Sequence, residues 1–191
     1  MTMTTTTKKK ITTKLQPNPF QSEILSLVSK QRTNAAKAEV LQEYRNDALV
    51  SLLIWNFDES VISILPKGPV PYADNTEQTS VGGNLTDLVE SKTRSQNLTK
   101  GEYAAADEVG NKQHTSLRNE YEKFYIFLRG GSNSLSQIRK ETIFINMLKG
   151  LHPEEAELMC LVKDKRLTDK YKITHQNVKD AYPDITWGGR S

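Results

Sequence analysis

Lys163, Lys165, Arg166, Lys170 and Lys172 place five cations within ten residues, and Thr174 follows them as a helix-capping residue. A helix N-terminus offers unpaired backbone N–H groups and the positive end of the helix dipole. Framed by ammonium and guanidinium groups, it is suited to receive one phosphate. The same residues also read as a solvated loop whose lysines cap the preceding helix, with Asp164 and Asp169 partly cancelling them. A third reading is a docking face for another protein.

Other residue types capable of chemistry form no recognisable constellation. His114, His152 and His175 match no zinc spacing, and no HExxH is present. "RGGSNS" lacks both the spacing of a phosphate-binding loop and a preceding strand. Glu154, Glu155 and Glu157 sit where a helix begins, where acids commonly offset the dipole from the surface. Cys160, the one cysteine, lies in "AELMCLV", so an internal disulfide and a cysteine-based zinc site are both excluded. It reads as a small buried hydrophobe, in keeping with a reducing compartment. Tyr121, Phe124, Tyr125 and Phe127 could stack bases, although their spacing favours a core stripe. Trp187, in "ITWGGRS", reads more readily as a tail residue docked on the body than as a recognition anchor. No catalytic residue, cofactor or metal is expected, and the chain reads as a non-enzymatic binder.

The elements that would position these residues are helical throughout. "PFQSEILSLVSKQ" repeats Phe20, Ile24, Leu27 and Val28 at helical spacing. "NAAKAEVLQEYRN" follows, with Asn34 as its expected cap, and then "DALVSLLIWNF", apolar on most sides and so central. Residues 66–84 hold three prolines and three glycines and predict a long irregular loop. "LTDLVES" predicts a short helix, and "GEYAAADEVG" a turn or two. "TSLRNEYEKFYIFLRG" sets Leu117, Tyr121, Phe124, Tyr125 and Leu128 on one stripe, ended by Gly130 and Gly131. "SLSQIRKETIFINMLKGL" opens with Ser134 and Gln137 spaced as a capping box. "HPEEAELMCLVKDK" starts on Pro153, and "THQNVKDAY" is capped by Thr174 and stopped by Pro183. The expected fold is all-α: seven to eight helices, a disordered basic arm over 1–17, a helical domain over 18–185 and a tail over 186–191. The domain can divide into sub-lobes 18–91 and 114–185, joined by an irregular 92–113 segment.

Bulk properties set the bounds. The 191 residues suffice for one domain, 36% of them are hydrophobic and 26% charged, and the mean hydropathy is −0.60. The longest apolar run, "ALVSLLIWNF", is too short to cross a bilayer. Net charge is +4 over residues 1–19, −4 over 20–127 and +3 over 128–191. Basic ends around an acidic middle point to a polyanionic partner.

Two resemblances sharpen this. "AKAEVLQEYRNDALVSLLIWNFDESVISILPKG", "FYIFLRG", "IRKETIFINMLKGLHPEEAELMCLVKDKRL" and "YKITHQNVKDAYPDI" together resemble the helical N-terminal DNA-binding domain of ATP-dependent DNA ligases of tailed phages. The matching positions are Lys37, Val40, Leu41, Asn46 and Leu49, then Pro66 and Gly68. Glu155, Leu158, Met159 and Lys163 follow, and Val178, Pro183 and Ile185 close the pattern, which covers about residues 34–185. The ligase KxDG motif is absent: the nearest string, "KDKR", has Lys165 where aspartate is required. The whole chain also looks like a family of uncharacterised proteins of cyanophage-type tailed phages. These resemblances imply a phage-encoded DNA-binding protein of the host cytoplasm, without ligase chemistry. It would grip duplex phosphates, with little base preference, through Lys163, Lys165, Arg166, Lys170, Lys172 and Thr174. The alternatives are an adaptor or modulator docking on a host or phage replication or transcription component, and a virion structural component. For the adaptor, the 66–84 loop and the acidic 20–127 stretch would be the contact surfaces.

Overall fold

The computed structural model describes residues 14–70 and 115–190. Residues 1–13 of the expected arm over 1–17, the "LTDLVES" and "GEYAAADEVG" segments, residues 71–84 of the expected loop and His114 lie outside them. The described residues are all-α. Eight α-helices run in the order α1 (Gln21–Ser29), α2 (Asn34–Glu43), α3 (Asp47–Phe57), α4 (Leu117–Glu120), α5 (Gln137–Gly150), α6 (Pro153–Lys163), α7 (Leu167–Tyr171) and α8 (His175–Ala181). A 3-10 helix, Tyr121–Phe127, continues directly from α4. Extended pairing among the described residues is confined to two isolated bridges, Ser63 with Leu128 and Thr115 with Leu151.

Helix α3 is central because its sequence gives it no polar face to expose. Asn46 starts it by accepting the Leu49 N–H at 3.0 Å, and Leu49, Leu52, Leu53 and Trp55 are fully buried. Each such side chain contributes roughly 2 kcal/mol relative to exposure. It packs on α4, the 3-10 helix and α6. Trp55 meets Phe124 edge-on at 5.5 Å, and Phe127 in turn meets Phe144 of α5 edge-on at 5.1 Å. On the other side α2 lies along α8. The Tyr182 hydroxyl donates to the Leu41 carbonyl at 2.5 Å, and Gln42 Nε2 donates to the Ala181 carbonyl at 3.0 Å. One hydrophobic cluster runs from Ile24 to Tyr182 through both ends of the chain.

Three local expectations change. The stripe through Leu117 to Leu128 is not one α-helix, because from Tyr121 the coil tightens to three residues per turn. Tyr121, Phe124 and Phe127 then align on the inner face, and Tyr125, expected inside, is left 54% exposed. The cap of α2 is Thr33, which accepts the Ala36 N–H, and not Asn34. The cap of α5 is Ser136, which accepts the Arg139 N–H, and not Ser134; Gln137 instead donates to the Ile64 carbonyl.

Gly131 is required by close approach. A Cβ there would stand 1.8 Å from the Tyr125 carbonyl oxygen and 2.7 Å from its carbon, both backbone atoms that cannot swing aside. Gly131→Ala should therefore cost about 2 kcal/mol, read as a lower urea midpoint at unchanged slope. A midpoint equal to wild type would show that the turn after the 3-10 helix opens freely.

Candidate functional site

The 163–175 junction is built from two left-handed turns around α7. Helix α6 ends at Lys163, and Lys165 takes φ +58, which lets the Arg166 N–H reach the Leu161 carbonyl at 2.8 Å. Lys172 ends α7 with φ +51, and the Thr168 hydroxyl donates to the Ile173 carbonyl at 2.8 Å to hold the approach to α8.

On this backbone the five cations have different surroundings. Lys163 is buried, and its three ammonium donors meet three acceptors: the Pro66 carbonyl at 2.6 Å, the Gly68 carbonyl at 3.1 Å and Asp164 Oδ1 at 2.5 Å. Asp164 closes the clasp by accepting the Gly68 N–H at 3.1 Å. Lys165 reaches the Asp58 carbonyl at 2.6 Å. Burial pulls the Lys165 pKa down, against the charges of Asp58 and Glu59. Arg166 pairs with Asp169 at 2.8 Å and Lys170 with Glu157 at 2.5 Å, both on the surface. Lys172 is exposed with no side-chain partner among the described residues, while its carbonyl accepts from Lys37 Nζ of α2 at 2.6 Å.

Thr174 does cap α8, but the cap closes on itself. Thr174 Oγ1 accepts the Asn177 N–H at 3.4 Å, and Asn177 Oδ1 accepts the Thr174 N–H at 3.1 Å. Four of the five cations therefore have intramolecular partners, different for each.

Two carboxylates that the sequence did not single out as organising residues matter more. Glu155, expected on the surface, is fully buried, and it accepts the Gln21 N–H and the Leu117 N–H, each at 2.9 Å. One side chain thus caps the starts of α1 and α4. Asp58, buried after α3, accepts from Ser60 N–H at 2.9 Å, Ser60 Oγ at 2.7 Å, Gly188 N–H at 3.0 Å and Arg190 Nη1 at 2.6 Å. Burial alone would raise its pKa, but these bonds prevail and hold it at about 2. They fasten the C-terminal tail, and Trp187 packs edge-on against His175 at 4.3 Å. The stretch "DES" at 58–60 was the available signal for an aspartate turning back on the chain. Burial pushes the Cys160 thiol up to about 11, far from a reactive thiolate. Among the described residues, no group of three or more His, Cys, Asp or Glu is placed to hold a metal ion, and no helix is long and apolar enough to cross a membrane.

A second surface was not legible. Among the described residues, the large aliphatic and aromatic side chains that are neither buried nor packed on the core are Ile62, Ile64, Tyr125, Leu135, Ile138 and Ile145. They come from three stretches bonded side by side. The Ile64 N–H donates to the Phe127 carbonyl at 3.0 Å, the Arg129 N–H to the Ile62 carbonyl at 2.9 Å, and Gln137 Nε2 to the Ile64 carbonyl at 2.9 Å. Ile62 and Ile64 alternate with the buried Val61 and Leu65. Ile138, the most exposed at 78%, opens α5 beside them.

A family model described as a family of unknown function (DUF6433) matches residues 24–106 and 95–169. No curated protein matches the chain, and no solved structure does.

Proposed function

The chain belongs to the DUF6433 family, whose function is unknown, and from that starting point we propose that it is a non-enzymatic adaptor that docks on another protein. The observation that carries this reading is that Ile62, Ile64, Tyr125, Leu135, Ile138 and Ile145, on stretches bonded side by side, all stay outside the core, with Tyr125 and Ile138 exposed. Apolar side chains clustered at a surface favour a protein contact. The reading carries with it the phage setting in the host cytoplasm that the resemblance implies, and a replication or transcription component as the partner.

Duplex DNA is the competing partner, and the partners of Lys163, Lys165, Arg166 and Lys170 weigh against the 163–175 junction as its grip. Four neutralised phosphates would give a slope of log affinity on log salt near −3.6, at about −0.9 per contact. With Lys172 alone free, the junction contributes a slope of about −0.9. Salt titration of a short labelled duplex by anisotropy measures this, alongside capture by the immobilised full chain from nuclease-treated and untreated extract. The adaptor reading expects a protein partner that survives nuclease and is lost with Ile138→Asp. A slope near −3.6 that Lys170→Ala reduces by about 0.9, with capture abolished by nuclease, would overturn it in favour of DNA.

A further inference from the structure

We propose that the surface around Ile138 receives an acidic amphipathic segment of another protein, an inference that rests on the adaptor reading and names the chemistry of its partner. The apolar residues supply the hydrophobic half of the recognition. Ile138 and Ile145 lie two turns apart on α5; Ile64 is tied to the start of that helix by the Gln137 bond, and the Tyr125 backbone lies against Gly131, six residues before it. A helix laid across such a face presents apolar residues at three- and four-residue spacing.

The charges around the face select the other half. Lys67, Arg129, Arg139 and Lys149 are exposed and have no side-chain partner among the described residues. The acids of the same stretches are fewer. Glu120 is paired with Lys123, while Glu59, Glu122 and Glu141, the last accepting only from the neutral Gln137, set three negative charges against the four, and Lys140, bonded to the Ser132 carbonyl, adds a fifth positive charge. A positive rim around an apolar centre complements glutamate and aspartate on the incoming segment, and it steers their approach. The same rim disfavours a second copy of this chain as occupant. A two-fold contact would bring two such positive rims together.

The experiment uses the full chain with a photo-reactive residue replacing Ile138. The probes are two synthetic helical peptides that share a leucine stripe, one with glutamates and the other with lysines on the polar face. The glutamate peptide should bind and cross-link from position 138, and the lysine peptide should do neither. Ile138→Asp should weaken binding at least about tenfold, which at 78% exposure cannot be ascribed to unfolding. The pair Arg129→Ala and Arg139→Ala should weaken it and flatten its salt dependence. Equal binding of both peptides, or indifference to Ile138→Asp, would overturn the proposal. So would a cross-link from 138 to a second copy or to residues 71–114. A nuclease-resistant protein partner in extract, with no binding of the glutamate peptide, would refute this inference and leave the adaptor reading standing.

Discussion

Lys163→Ala should lower the unfolding free energy by about 3 kcal/mol and the melting midpoint by roughly 6–12 °C. Lys172→Ala, nine residues away in the same basic run, should change stability by less than about 0.5 kcal/mol. Charge and local sequence make the two lysines look alike, and their surroundings separate them. The Lys163 side chain is 1% exposed and bonds the Pro66 and Gly68 carbonyls as well as Asp164. Truncation leaves two carbonyls and a carboxylate short of a donor in a place water barely reaches. The clasp is also what ties residues 66–68 to α6, so local opening there should rise with global instability. Lys163→Met keeps most of the stem volume and removes only the donors. If bonding dominates, it should lose nearly as much as alanine; if packing dominates, it should recover most of the loss. Denaturant titration of the three variants decides, and equal midpoints for Lys163→Ala and Lys172→Ala would show that the clasp contributes nothing.

These two lysines also show where sequence reasoning stops. Arg166 and Asp169, three apart, could be paired from the sequence. Two of the three partners of Lys163 lie 95 and 97 residues upstream and are backbone carbonyls, which no charge count can register. Helix type and most helix starts were legible because caps and apolar spacing are local. Pro153 opens α6 and Thr174 caps α8 as the sequence predicts. The 3-10 segment was not, because Tyr121 and Phe124 fit a period of three as well as one of 3.6. Packing of Phe124 and Phe127 around Trp55 accompanies the tighter coil, and that choice put Tyr125 outside. The apolar face at Ile138 escaped for the same kind of reason. Its members come from residues 62–64 and 125–145, each unremarkable in its own stretch.

The contribution of Glu155 to the unfolding free energy should fall by about 3 kcal/mol as pH rises from 4.5 to 7, and Glu155→Gln should abolish that decline. Burial pushes Glu155 up to about 7 from an ordinary 4.5, against the amides of Leu117 and Gln21 and the nearby Arg118 guanidinium, with Glu23 adding to the rise. Between those two values the folded chain keeps a proton that the unfolded chain has released, so each added pH unit favours unfolding by about 1.4 kcal/mol. The contribution is complete below pH 4.5 and exhausted above about 7. Asp58 acts in a separate window and with opposite sign. Its pKa, held at about 2 against an ordinary 3.8, gives stability that is present above 3.8 and lost as pH falls through about 2. His175 also titrates lower when folded, chiefly through burial, and it favours the folded state as pH rises. It is common to both proteins, so the difference between wild type and Glu155→Gln isolates the carboxyl. Glutamine can accept from only one of the two amides, and its NH2 faces the other N–H. The variant should therefore start about 1–3 kcal/mol less stable at pH 5 and converge on wild type toward pH 7.5. Denaturant midpoints at half-unit pH steps test this, and parallel curves for the two proteins would mean that Glu155 is ionised throughout and that its two amides outweigh its burial.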